Sequence, residues 1–203
     1  LNSSNIFTVR STGENLVLVT NARAVAIVQC STLNVGPFTE TLNDTRRVFA
    51  HNRHVIFITN NGTLRHATII NSTDGQSLTI TEPQIVPLPF PVLNAVPCLH
   101  VVMITSITRD CYKWNYTDKS LSFVQGNVDL AVATNTMNLY MQRLGDGYIW
   151  YSSNGFIGLT KENLYHISLS LNGEYAAISS SNKALLYINP NLITLESSKL
   201  ATI

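Results

Sequence analysis

Charged side chains are scarce in this sequence of 203 residues. Asp, Glu, Lys and Arg make up 12% of it, about half the usual share, whereas hydrophobic residues make up 45%. Disordered chains combine high charge with low hydrophobicity, so this composition argues against disorder. The net charge is only +1, so no global field would draw the chain to nucleic acid, and we predict no nucleic-acid partner.

Long apolar runs are also missing. No run reaches the roughly 18 to 20 residues that span a bilayer, so no transmembrane segment is predicted. The uninterrupted runs, such as residues 55–58 and 101–104, have the length of strands. The chain starts at Leu1 without a basic, apolar and small-residue leader, as expected of a processed secreted chain, a trimmed chain or a domain excised from a longer protein.

Cysteine is rare, and its three positions are 30, 98 and 111. Cys98 and Cys111 lie almost symmetrically about Thr105, where a hairpin turn is expected, so a disulfide between them is geometrically feasible. Two free cysteines packed as small hydrophobic side chains are the alternative. Cys30 is left over in both cases, so the cysteines only suggest an oxidising compartment.

Asn (21), Thr (21) and Ser (18) occupy the polar positions that charged residues leave open, and this composition favours strands. Six segments repeat one pattern, in which an apolar run, a short polar turn and a second strand-forming run follow each other. They are residues 15–29, 54–70, 99–114, 128–142, 147–159 and 175–188. Each predicts a β-hairpin, and Asn61-Gly62 and Asn154-Gly155 are the strongest turn signals because both residue types tolerate positive φ.

The spacing of the hairpins indicates a repeat. The turns near residues 20, 59 and 105 are separated by 39 and 46 residues, close to the length of a four-stranded propeller blade. We therefore predict an all-β chain that forms a β-propeller of about five blades, with the turns at 134 and 152 in one blade. Residues 5–10 are expected to close the last blade. A two-sheet β-sandwich or jelly roll is the alternative fold.

Residues 1–203 are predicted to form one repeat-like domain, with a proline-rich connecting segment at 83–97. This segment holds five of the seven prolines and is therefore excluded as a central strand. It is interpreted as a linker, a loop across one face or a docking segment for an aromatic groove. Its apolar side chains predict that it packs against the domain; they are Ile85, Leu88, Phe90 and Val92.

Two stretches near the C-terminus, GDGYIWYSSNGFIGL (145–159) and LYHISLSLNGEYAAISSSNKALLYI (164–188), carry a family resemblance. In each, a strand with an aromatic residue leads into a polar turn and an apolar strand. This arrangement resembles the tectonin and tachylectin type of β-propeller lectin. The resemblance implies the fold more than a ligand, because the regularly repeated tryptophans of that family are absent and only Trp114 and Trp150 occur.

Five N-x-S/T sequons are candidate glycosylation sites: Asn2, Asn43, Asn61, Asn71 and Asn115. Chance alone gives about four at this composition, so the number is not an excess. The placement of Asn61 in a predicted hairpin turn and of Asn43 before a polar Asp-Thr loop, the low charge and the start at Leu1 together favour an extracellular or virion-surface location.

The most cationic stretch is residues 46–66, which holds no acid. Its candidate ligand-binding residues are Arg46, Arg47, Arg53, Arg65, His51 and His54. Arginine forks bind carboxylate or sulfate, so sialic acid, a sulfated glycan or an acidic protein surface would fit. The alternative is a solvated rim that acids from elsewhere balance. His51 and His54 lack companions that would complete a ligand set, so no metal site is predicted.

Alternation places Tyr112, Trp114 and Tyr116 on one strand face, and Trp150 belongs to a second aromatic group. Tyr112, Trp114 and Trp150 are therefore candidates for stacking on a sugar or anchoring a protein partner. Packing in the core is the more common use of such residues.

Enzyme signatures are absent: the sequence has no G-x-S-x-G, no phosphate-binding glycine loop and no H-E-x-x-H. No cofactor is predicted. The favoured hypothesis is a non-enzymatic extracellular or virion-surface domain that binds a glycan or a protein. The alternatives are a glycoside-processing enzyme on a propeller, which needs converging acids, and a β-sandwich subunit of a capsid or fibre with broad apolar interfaces.

Overall fold

The computed structural model describes residues 8–13, 15–20, 24–40, 43–73, 75, 77–135, 138–144, 147–152, 155–160, 164–170, 172, 176–180, 184–189 and 192–199. Every regular element in these ranges is a β-strand, as the composition predicts. None of the described residues belongs to a helix that is long and apolar enough to cross a membrane. The chain divides into two compact units, Leu1–Val92 and Leu93–Ile203, which are described separately.

Sheet 1 opens the first unit, and its strands run in the order β1–β2–β3. Two short strands, β4 and β5, share the fourth position and both pair with β3. The strands are β1 (Thr8–Gly13), β2 (Leu16–Thr20), β3 (Ala24–Gln29), β4 (Asn34–Val35) and β5 (Thr39–Glu40).

The first strand corrects one prediction. Thr8, Val9 and Arg10 pair with β2, their neighbour in sequence, and do not close the last sheet. A tight turn at Asn15, whose φ is 58°, joins the two strands. Pairing across so short a connection requires much less loop-closure entropy than pairing with the end of the chain.

Sheet 2 repeats the arrangement with the order β6–β7–β8 and with β9 and β10 both pairing with β8. Its strands are β6 (Thr45–His51), β7 (His54–Thr59), β8 (Leu64–Asn71), β9 (Leu78–Ile80) and β10 (Gln84–Ile85). The predicted turn at Asn61-Gly62 joins β7 to β8, and Gly62 has the expected positive φ of 83°.

The core of the first unit explains the apolar run at 55–58. All four side chains of this run are fully buried, so both faces of β7 are covered. Phe57 packs in one cluster with side chains from both sheets of this unit, including Leu18 on β2 and Ile27 on β3. A continuous apolar run without alternation is what a strand covered on both faces requires.

The second unit contains sheets 3, 4 and 5, each with four strands in sequential order. Sheet 3 has β11 (Val92–Pro97), β12 (Val101–Ser106), β13 (Cys111–Asn115) and β14 (Leu121–Gln125). Sheet 4 has β15 (Leu130–Ala133), β16 (Asn138–Leu144), β17 (Gly147–Ser152) and β18 (Gly155–Thr160). Sheet 5 has β19 (Leu164–Leu169), β20 (Ala176–Ser180), β21 (Ala184–Asn189) and β22 (Leu192–Lys199).

All six predicted hairpins are confirmed as antiparallel pairs of consecutive strands. The two hairpins around 134 and 152 share sheet 4, where β16 pairs with β17. Asn154 lies outside the described residues. The core of this unit joins sheets 3 and 4 through buried side chains that include Met103, Val132 and Leu139.

Candidate functional site

The cationic residues of 46–66 do not form one patch, because the β6–β7 hairpin separates them. Arg47 pairs with Ile58 near the start of β6, whereas His51 pairs with His54 at its end. His51 is four positions beyond Arg47 on the strand, which corresponds to about 13 Å. Arg46 and Arg47 therefore lie at one end of sheet 2, and the turn that carries exposed Arg53 lies at the other.

Two of the arginines bind other parts of the first unit. The Arg46 Nη2 atom donates a hydrogen bond of 2.6 Å to the carbonyl oxygen of Val92. Arg65 donates from both terminal nitrogens to the Asp44 carboxylate, at 3.5 and 3.2 Å. The ion pair between Arg65 and Asp44 agrees with the alternative hypothesis, in which acids from outside residues 46–66 balance the positive charge of this stretch. Arg46, Arg47 and Arg53 are exposed.

The histidines of the same stretch have different surroundings. His51 is only 4% exposed, and its Nε2 atom has no hydrogen-bond partner in the described part of the chain. Burial lowers its pKa, so the ring is neutral at pH 7. His54 is half-buried and contacts His66, with 3.0 Å between Nδ1 of His54 and Nε2 of His66. Within the described residues, no three His, Cys, Asp or Glu side chains form a group that could hold a metal ion.

Burial corrects part of the aromatic hypothesis in the second unit. Trp114 is 4% exposed and packs edge-on against Tyr116 with Lys119 over its ring, so its face is not available to a sugar. Tyr112 is half-buried and packs edge-on against Phe123, which is 61% exposed. No pattern in the sequence pointed to Phe123 as a candidate. The backbone of Trp150 lies in β17, and its side chain is outside the described part.

The two cysteines of sheet 3 do not face each other across the hairpin as predicted. The turn begins at residue 107, so the register pairs Cys111 with Thr105, and Cys98 precedes β12. Both are buried free thiols, and burial raises each pKa to about 12. The Cys98 Sγ atom accepts a hydrogen bond of 3.3 Å from the Ala133 backbone N–H. Cys30 is an exposed free thiol.

Four of the five sequon asparagines lie in the described part of the chain, and Asn2 lies outside it. Asn43, Asn61 and Asn71 are exposed, whereas Asn115 is half-buried. The Asn61 side-chain oxygen accepts hydrogen bonds from the Thr59 hydroxyl and the Thr63 N–H. Whether any of these sites carries a glycan stays a prediction.

Only the middle of the predicted connecting segment at 83–97 is a loop, because residues 84–85 form β10 and residues 92–97 form the edge strand β11. The loop is attached to sheet 2 at both ends. We call residues 87–91 the proline loop. Before it, the Val86 N–H donates to the Leu64 carbonyl at 2.9 Å; after it, the Val92 N–H donates to the Gly62 carbonyl at 2.8 Å. Arg46 adds the third bond, to the Val92 carbonyl. Gly62 is required here, because a Cβ atom would lie 2.8 Å from the Pro91 Cβ.

The proline loop and the residues of the turn at 61–64 line a groove of about 420 Å³ that is open to solvent. The side chains of the loop alternate: Pro87, Pro89 and Pro91 are exposed, whereas Leu88 and Phe90 are half-buried. Val92 is fully buried and Ile85 is 66% exposed, so the segment packs down only in part. The result is an apolar ridge on a fixed backbone, which can bind another apolar surface but carries no nucleophile, acid or base.

Solved structures with similar folds establish the fold of this chain. Kluyveromyces lactis Hsv2 matches 95% of this chain at 11% identity, with a TM-score of 0.56 and 62% of its own length covered. Saccharomyces cerevisiae Prp20p, whose structure was reported with its binding to Gsp1p and histones, matches 93% at 9% identity, with a TM-score of 0.63 and 58% of its length covered. The β-propeller domain of Myceliophteria thermophila Cps50 (Swd1) matches 98% at 11% identity, with a TM-score of 0.56 and 70% covered.

The chain therefore has the β-propeller fold, and the five sheets are its blades. The predicted fold is confirmed, and the sandwich alternative is wrong. Nothing in these neighbours points to the tectonin or tachylectin type. The chain spans about 62% of the Hsv2 structure that it matches. No protein-family model and no curated protein matches its sequence.

Proposed function

We propose that this chain is a non-enzymatic β-propeller domain that binds a protein partner through the proline loop and the neighbouring Ile85 side chain. The observation that carries the proposal is the attachment of the loop: three hydrogen bonds hold its two ends against sheet 2 while its prolines stay exposed. A ligand segment that is already ordered loses little conformational entropy on binding.

The composition of the loop suggests the chemistry of the partner. Exposed prolines and an exposed isoleucine fit an apolar groove lined by aromatic side chains, as in other complexes of proline-rich segments. Arg46 and Arg47 are exposed at the end of sheet 2 to which the loop is attached. Acidic residues beside the aromatic groove of the partner would complement them. A glycan has less support, because the buried Trp114 cannot stack on a sugar.

The proposal is tested by site-specific cross-linking. A photo-cross-linking amino acid in place of Pro87 is expected to capture a protein from the native source, whereas the same group in place of exposed Ser122 is not. The captured protein is then purified and titrated with the whole chain. Ile85→Asp is expected to weaken that binding at least about tenfold, because it places a charge in an apolar contact.

The matched control is Ile107→Asp, since Ile107 is 58% exposed in the other unit. The affinity of the Ile107→Asp variant for the captured protein should equal that of the unsubstituted chain. Binding that survives Ile85→Asp, or that both substitutions weaken equally, would refute the role of the proline loop.

We also propose that the domain works outside the cell or on a virion surface. Exposure of three sequon asparagines and the low share of charged residues support this location. The intact mass of the naturally produced protein should fall after peptide N-glycosidase treatment, with Asn43 and Asn71 as the modified sites. An unchanged mass would overturn the proposal. A glycan on Asn61, which lines the groove, would count against docking at the proline loop.

A further inference from the structure

His54 and His66 form a close pair on one face of sheet 2. His54 lies on β7 opposite Thr68 of β8, and His66 lies on β8 opposite Ile56 of β7. The two histidines are therefore diagonal neighbours, and alternation along both strands places their side chains on the same face. Their ring centroids are 5.2 Å apart, with 30° between the ring planes.

The separation of the facing nitrogens is 3.0 Å. In the neutral pair one of these nitrogens donates and the other accepts, so the contact is a hydrogen bond. The same separation suits two ligands of one metal ion. With metal–nitrogen bonds of about 2.0 to 2.1 Å, two ligands at a right angle are about 2.9 Å apart. The rings now lie stacked with 30° between their planes, so metal binding requires them to rotate about their Cβ–Cγ bonds until both lone pairs point to a shared position.

The strands hold the pair in this geometry. The hairpin register fixes both backbones, and Ile56, directly opposite His66, is fully buried. Both histidines are half-buried, so each ring is restrained yet reachable from solvent. Arg65 precedes His66 on the strand and so projects to the opposite face, where it binds Asp44. Its charge is therefore directed away from the face that the pair occupies.

We propose that His54 and His66 chelate a divalent transition-metal ion, with Cu²⁺ preferred over Ni²⁺ and Zn²⁺. Imidazole nitrogens suit these ions, right-angle ligand positions suit Cu²⁺ and Ni²⁺, and affinity rises toward Cu²⁺ in this series. The protein supplies two ligands, and water completes the coordination. As the metal binds, the ring that donated the shared proton changes tautomer, so that its proton moves to the nitrogen that faces away from the metal and both rings coordinate as neutral imidazoles. This proposal is independent of the proposed function.

The test is titration of the whole chain with CuCl₂ at pH 7.5, followed by calorimetry and by the visible absorption and electron paramagnetic resonance of bound Cu²⁺. A Cys30→Ser background is used, because the exposed thiol would itself react with copper. One site with a spectrum of two equatorial imidazole nitrogens is expected. His54→Gln and His66→Gln should each lower its affinity at least about tenfold, because each removes one of only two ligands.

The double variant should bind copper at least as weakly as the weaker single variant, because it keeps neither ligand, but its loss should be smaller than the sum of the two single losses, since both histidines belong to one site. His100→Gln removes an exposed histidine of the other unit and should leave the site intact. Thermal unfolding without metal confirms that each variant folds. Unchanged copper affinity and an unchanged spectrum in the folded double variant would overturn the proposal, and so would loss of the site in His100→Gln.

Discussion

Gly36→Ala is expected to destabilise the first unit by about 3 kcal/mol, near the upper end of what overpacking costs. Gly36 lies between β4 and β5, and a Cβ atom there would overlap the carbonyl oxygen of Leu78 on β9. Its N–H donates to the Ile27 carbonyl at 2.8 Å, so the backbone cannot simply retreat. The loss of stability should appear as a lower midpoint in urea-induced unfolding.

The control for Gly36→Ala is Gly126→Ala. The nearest atom to a Cβ at Gly126 is the Asp110 Oδ1 at 3.5 Å, an ordinary van der Waals contact. Its unfolding free energy should change by no more than about 0.5 kcal/mol. If both variants unfold at the midpoint of the unsubstituted chain, then the close approach of Gly36 to β9 is not present in solution.

Phe57→Ala is expected to have an effect of about 4 kcal/mol, because it opens a cavity in the core of the first unit. Phe57 has no exposed surface and packs among side chains of both sheets of that unit, so the cavity cannot close by a movement of one sheet alone. Chemical unfolding monitored by circular dichroism would measure the loss.

The matched substitution is Phe123→Ala, which removes the same side chain from an exposed position. Phe123 contributes mainly its edge-on contact with Tyr112, so a loss of at most about 1 kcal/mol is expected. Equal losses from the two substitutions would show that β7 is not the buried central strand described above.

The fold was largely predictable because its signals are local. Turn residues such as Asn61-Gly62 and the apolar run at 55–58 specify a hairpin and a buried strand without knowledge of distant contacts. The first strand was not predictable in this way. Residues 8–10 could pair with β2 or with the end of the chain, and both pairings require the same alternation of side chains. The sequence pattern therefore does not distinguish between them, and the structure shows pairing with β2.

The candidate sites were harder to predict, because they depend on register. Arg47 and Arg53 are six positions apart in the sequence, yet the hairpin places them at opposite ends of a sheet. His54 and His66 are separated by eleven residues and nevertheless contact each other. A partial signal for this pair existed: the two histidines lie on the two arms of the hairpin at Asn61-Gly62, seven positions before Asn61 and four after Gly62, so a tight hairpin there makes them diagonal neighbours.

The divided fourth strands of sheets 1 and 2 have a consequence for solubility. Strands β4, β5, β9 and β10 are each two or three residues long. A strand from another molecule could pair with β4, β5, β9 or β10 over only two or three residues. Such a short hydrogen-bond ladder does not nucleate intermolecular β-pairing. In a chain with few charged side chains to keep its copies apart, the divided strands thus limit amyloid-like association on this side of sheets 1 and 2.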